Sequence, residues 1–107
     1  MEKDLYEILR TQVAKYLERN WESCGIPPNL VMMEESRDHI ISIGCSMLMT
    51  KHEFGYPGGG FVQSVVNNDL RGAVMSGDQV NLKCIPFYVT MLQNLMVMDI
   101  KKNNYDS

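Results

Sequence analysis

The residues best suited to chemistry lie between Gly55 and Arg71. Gly55-Tyr56-Pro57-Gly58-Gly59-Gly60 places four of the chain's eight glycines in six positions. The stretch that follows, Phe61-Val62-Gln63-Ser64-Val65-Val66-Asn67-Asn68-Asp69-Leu70-Arg71, has a helical pattern. A glycine-rich loop entering a helix leaves backbone N–H groups without intrahelical partners and sets the positive end of the helix dipole beside them. An anion, above all a phosphate, binds well at such a place. Tyr56-Pro57-Gly58 suits a type II turn, with proline second and glycine third. Gly59 and Gly60 admit close backbone approach or a positive φ. No Lys-Ser/Thr pair ends the loop, so a tight connection with nothing bound fits these glycines as well. Lys51 and His52, just upstream, either assist an anion or are simply solvated.

Gln63, Asn67 and Arg71 recur every fourth residue and make one stripe; Ser64, Asn68 and Arg71 make another beside it. Amides and a guanidinium are the groups that recognise a base edge and a phosphate. A solvated helix face explains the same residues without a ligand. Asp69 falls one turn after Val65 and Val66, where a carboxylate is costly unless paired. It is expected to hold a helix N-terminus or to pair with Arg37 or Arg71. No catalytic set stands out. Glu34, Glu35 and Asp38 fit a charged helix face, His39 fits a packed histidine, and Cys45 and Cys84 have no partner in sequence. The chain is therefore expected not to be an enzyme.

The elements that must position these residues are helical. The chain has 107 residues, enough for one domain with a modest core. Its 45% hydrophobic content fits a globular protein. Leu5, Ile8, Leu9, Val13, Tyr16 and Leu17 predict an amphipathic first helix over residues 3–20. Cys24-Gly25-Ile26-Pro27-Pro28-Asn29 is a break. A second helical region is expected over 30–51, interrupted near Ser36, with Gly44 allowing a neighbour to pack closely. A strand at Ile40–Ile43 is the weaker alternative, for want of a second strand. Phe61–Val74 is expected as the third helix. Ser76 and Gln79 match a capping box, and a fourth helix would run to about Ile100 with a kink at Pro86. A polar tail, Lys101–Ser107, follows. The expected fold is all-α: a compact bundle of about four helices, with the glycine-rich loop before the third.

Charge and composition bound the partners. The net charge is −3, and no Lys/Arg cluster exists beyond Lys101-Lys102, so a nucleic acid polymer is not an expected partner. A small ligand with one or two phosphates needs only a few local donors. Three cysteines and two histidines, widely spaced, give no metal site and no disulfide framework. The cysteines read as reduced and mostly buried, in a cytoplasmic protein. The charged opening Met1-Glu2-Lys3-Asp4 carries no secretion signal, and Ile40–Met49 is too short to span a bilayer. Nine methionines are expected mainly as core filling.

A longer pattern covers roughly residues 55–94. It reads Gly55-x-Pro57-x-Gly59-Gly60-Phe61-Val62-x-Ser64-Val65-Val66-x-Asn68-Asp69-Leu70-x-x-Ala73-Val74, then Asp78-x-x-Asn81-x-x-x-x-Pro86 and Leu92-x-Asn94. This resembles a group of small phage and prophage proteins, and among them the viral sponge proteins that counter CBASS immunity. The resemblance implies a non-enzymatic, cofactor-free homo-oligomer, dimeric or larger. It would bind a cyclic dinucleotide such as 3′,3′-cGAMP between protomers and withhold it from the host effector. It implies the Gly58, Gly59 and Gly60 backbone for phosphate, and Asn67, Asn68, Asp69 and Arg71 for phosphate or base, with Tyr56 and Phe61 as further ligand-binding candidates. Met75-Ser76-Gly77 departs from the pattern, which has an Arg-Ala pair before the aspartate; Arg71 or Lys83 would have to substitute. The first helix and the Met-rich fourth would supply apolar area for assembly. A helical module that inhibits or regulates a host protein without nucleotide, and a small hydrolase of a nucleotide signal, are the alternatives.

Overall fold

Leu5, Leu9, Val13 and Leu17 recur every fourth residue, and all four are buried in the core. They make helix α1, Glu2–Asn20. The computed structural model describes residues 2–55 and 57–95. After α1 the chain turns through Gly25, whose φ of +75° is one that side-chain-bearing residues rarely adopt. Pro28 then opens α2, Pro28–Met32, at a position where its missing N–H is not needed. Met33 is extended, and α3 runs Glu34–Lys51. The interruption thus falls at Met33, three residues before the expected Ser36. The Ser36 hydroxyl donates across it to the Leu30 carbonyl at 2.7 Å. Ile40–Ile43 lies within α3, and there is no strand among the described residues.

The expected third helix is two helices, α4 Gly60–Val66 and α5 Leu70–Ser76. Asn68 takes a left-handed φ of +62°, tolerable for asparagine and fatal to a continuing helix. Asp69 then caps α5, accepting from the Gly72 N–H at 3.0 Å, while its own N–H donates to the Ser64 carbonyl at 2.7 Å. The two helices fold back as a hairpin. The expected fourth helix is likewise two, α6 Gln79–Lys83 and α7 Ile85–Asn94. Pro86 does not kink a helix. It sits in the first turn of α7, where no N–H is required. Ser76 is not the cap of α6. It is the last residue of α5, and its hydroxyl donates back to the Gly72 carbonyl. Asp78 caps α6 instead, accepting from the Asn81 N–H at 2.7 Å. The expected end of the fourth helix and the polar tail lie outside the described residues.

The bundle therefore has seven helices among the described residues. α1, α3 and α7 meet around Gly44. A Cβ there would stand 2.8 Å from Val13 Cγ1 and 3.3 Å from Met91 Sδ, so the absent side chain sets the spacing of the three helices. Phe87, Tyr88, Met91, Met47 and Leu48 fill the centre. Of the methionines, Met47 and Met91 are buried, whereas Met32, Met33 and Met75 stand in solvent. Cys45 and Cys84 are free and buried, and burial pushes both thiols up to about 11.

One polar contact sits inside this core. The Tyr88 hydroxyl donates to Asn81 Oδ1 at 3.0 Å, and both residues are buried. Tyr88→Phe removes the donor and leaves the amide oxygen desolvated. Its urea unfolding midpoint is expected to fall by the equivalent of about 1–2 kcal/mol, with an unchanged slope.

Candidate functional site

The glycine loop is pinned to α3. The Gly58 N–H donates to Thr50 Oγ1 at 2.9 Å, and its carbonyl accepts from Gln63 Nε2 at 2.6 Å. A Cβ at Gly58 would collide with Ser46 Oγ and lie 2.7 Å from Val62 Cγ1. The Gly58 backbone is thus committed within the protein and not held out for phosphate. The type II turn is not formed. It needs a positive φ at Gly58, and the left-handed glycine of this loop is Gly55, at +76°. Gly59, the N-cap of α4, has a φ of −70° and open space around it. Tyr56 lies outside the described residues.

Phe61 belongs to the core. Its ring packs edge-on against Tyr88 at 5.9 Å, and a Cβ at Gly77 would come within 2.8 Å of it. Only 6% of Phe61 is exposed. Lys51 and His52 do not attend the loop as an anion pair either. Lys51 Nζ donates to the Leu92 carbonyl at 2.6 Å, tying α3 to α7. His52 stacks on Phe54, with ring centroids 6.4 Å apart. Burial, helped by Lys51, lowers the His52 pKa and favours the neutral ring.

Asn67, Asn68, Asp69 and Arg71 are all exposed, and they cluster at the other end of the hairpin. Gly60, at the loop end, stands against Ser76, so the start of α4 meets the end of α5. The seven-residue helix from Gly60 to Val66 sets Gly60 about 10 Å from Asn67. The two halves of the expected site are therefore apart within one protomer. The Gln63–Asn67–Arg71 stripe is likewise not formed, because the chain reverses between Asn67 and Arg71. Asp69 takes the first of its two expected roles, as a helix cap.

The reversal builds a surface that the sequence pattern does not announce. Val65, Asn68, Asp69, Leu70, Ile85 and Val89 surround a small open hollow of about 70 Å³ between α5 and α7. Of the residues that line it, Leu70 is 71% exposed and Val89 about half exposed; Val74 and Met75 of α5 are exposed as well. Val74 and Leu70 are expected on the buried side of a continuous helix. The break at Asn68 restarts the helical phase and turns them outward. Asparagine followed by aspartate, both common in turns and caps, is the signal that locates the break. His39 is also no packed histidine: its Nε2 lies 3.1 Å from Asp78 Oδ2 and ties α3 to the cap of α6.

Among the described residues no group of His, Cys, Asp or Glu is placed to hold a metal ion. None of the described helices is long and apolar enough to cross a membrane. No protein-family model, no curated protein and no solved structure matches the chain.

The two adjacent loop glycines separate packing from ligand binding. Gly58→Ala is expected to lower stability by about 1–3 kcal/mol with no ligand present, since Ser46 and Val62 must give way. Gly59→Ala meets open space and should leave the melting temperature nearly unchanged. Thermal unfolding of the two variants checks this.

Proposed function

We propose that the chain is a non-enzymatic, helical protein-interaction module whose working surface is the α5–α7 face, with inhibition or regulation of a host protein as its role. One observation supports this above others: Leu70 and Val89 are exposed at the rim of a hollow whose walls are mostly apolar. Contiguous apolar surface of this kind marks binding sites on soluble domains. Covering it gains about 25 cal/mol for each Å² removed from water.

The second reading is sequestration of a cyclic dinucleotide of the 3′,3′-cGAMP kind, withheld from a CBASS effector. It draws support from the Gly55–Asn94 resemblance and from Asn68 and Asp69, which rim the hollow. A base would lie against Val65 and Ile85, with its edge on Asn68 and Asp69 and a phosphate on Arg71. The Gly59–Gly60 backbone, about 10 Å away at the other end of the hairpin, would meet the ligand's second phosphate or come from another protomer.

The two readings put different occupants on one surface, and one assay separates them. The purified chain is heated with a panel of cyclic dinucleotides, then denatured, and the nucleotide is recovered. The interaction module predicts no thermal shift with any of them. A shift with intact nucleotide recovered, weakened at least tenfold in affinity by Arg71→Ala, overturns it in favour of the sponge. Altered nucleotide overturns both in favour of a hydrolase.

A further inference from the structure

We infer that the groove between α3 and the start of α6 is a second docking site, and that its occupant is a basic, amphipathic segment of a partner protein. This goes beyond the reading above, since the groove shares no lining residue with the α5–α7 hollow.

Glu35, Asp38 and His39 fall at helical spacing and share one face of α3. Asp78, the cap of α6, stands opposite them, and the 3.1 Å contact between His39 Nε2 and Asp78 Oδ2 holds the two walls together. Met33, at the α2–α3 junction, and Val80 of α6 add apolar walls. The space enclosed is about 560 Å³, against about 70 Å³ for the α5–α7 hollow. Recesses of about 300–1,000 Å³ are the ones that hold ligands.

The walls specify the occupant. Met33 is 57% exposed, and a methionine side chain is flexible enough to shape itself to a docked residue. The lining carries three carboxylates and no lysine or arginine. They stand on both walls, Glu35 and Asp38 on α3 and Asp78 on α6. Arg10 reaches Asp38 from α1 only at 3.7 Å, and the Asp38 and Asp78 side chains stay about half exposed. A wholly apolar occupant would strip water from these carboxylates and return nothing. An anionic one would be repelled. Lysine or arginine beside apolar residues satisfies both demands: the cation donates charge-assisted hydrogen bonds, and the apolar side chains cover Met33 and Val80. The net charge of −3 draws such a segment in. The groove between α1 and α3 sets three cations against three carboxylates, and so selects no sign of partner.

Fluorescence anisotropy of the full chain with three labelled synthetic peptides tests this. The peptides share one helical pattern: one of leucine and lysine, one with glutamate for every lysine, one with alanine for every leucine. The leucine–lysine peptide is expected to bind with a micromolar Kd. The glutamate peptide should not bind, and the alanine peptide should bind at least tenfold more weakly. Glu35→Lys should weaken the leucine–lysine peptide at least tenfold, and Met33→Ser about threefold. Both change exposed side chains, and circular dichroism checks that the variants remain helical. Leu70→Ser, in the α5–α7 hollow, should leave the affinity unchanged. Failure of the leucine–lysine peptide to bind, or equal binding of the alanine peptide, overturns the inference. Binding abolished by Leu70→Ser and indifferent to Glu35→Lys also overturns it, while the reading of the α5–α7 face stands. A wild-type dimer that Glu35→Lys dissociates in sedimentation equilibrium puts a second copy in the groove. Peptide binding that tightens when Lys101→Glu and Lys102→Glu are combined puts the chain's own tail there. Either result overturns the inference.

Discussion

The reversal at Asn68 and Asp69 is the constraint on which the rest of this structure depends. A left-handed asparagine stops one helix, and an aspartate side chain immediately starts the next by accepting from Gly72. A helix cap contributes about 1 kcal/mol, roughly the cost of one residue held in the left-handed region. The pair thus breaks the helix at little net cost. What the break gains is packing: α4 folds onto α5, and Phe61 reaches Tyr88. Without it, residues 60–76 would be one rod with the loop at one end and Ser76 far from it.

Three glycines let the hairpin close. A Cβ at Gly58 would strike Ser46 and Val62, one at Gly72 would come within 2.6 Å of Ser64 Oγ, and one at Gly77 would meet the Phe61 ring. Each absent side chain is filled by a neighbour. The glycine at position 58 therefore has a packing cause, and its amide is already bonded to Thr50. Leu70 and Val74 are apolar residues that the protomer does not bury, and their exposure is a consequence of the same reversal.

The all-helical class, the first helix and the close contact at Gly44 were legible in the sequence. The α1 stripe has clean four-residue periodicity, and a glycine within an apolar helix face implies a close neighbour. The helix count was not legible, because periodicity alone does not see a break that preserves the spacing of apolar residues. Val65, Val66, Leu70, Ala73 and Val74 read as one stripe, although the phase restarts between Val66 and Leu70. Pro86 misled in the same way: it looks like a kink within a helix and is in fact the beginning of one. Of the candidate site residues, Asn67, Asn68, Asp69 and Arg71 are gathered at one end of the hairpin. Gly58 and Phe61 are absorbed into packing that only the three-dimensional arrangement discloses. Ser76 and Asp78 both suit a cap, and the choice between them depends on where α5 ends.

The hairpin carries the functional reading with it, since it both separates the loop from Arg71 and creates the α5–α7 face. The most direct test is a nuclear Overhauser measurement between Gly60 and Ser76 in the free protein. In the hairpin a Cβ at Gly60 would stand 3.7 Å from Ser76 Cβ, so a strong cross-peak between their α- and β-protons is predicted. In a continuous helix the two residues would be about 24 Å apart. Absence of that cross-peak, with unbroken helical contacts through Asn68, would contradict the account.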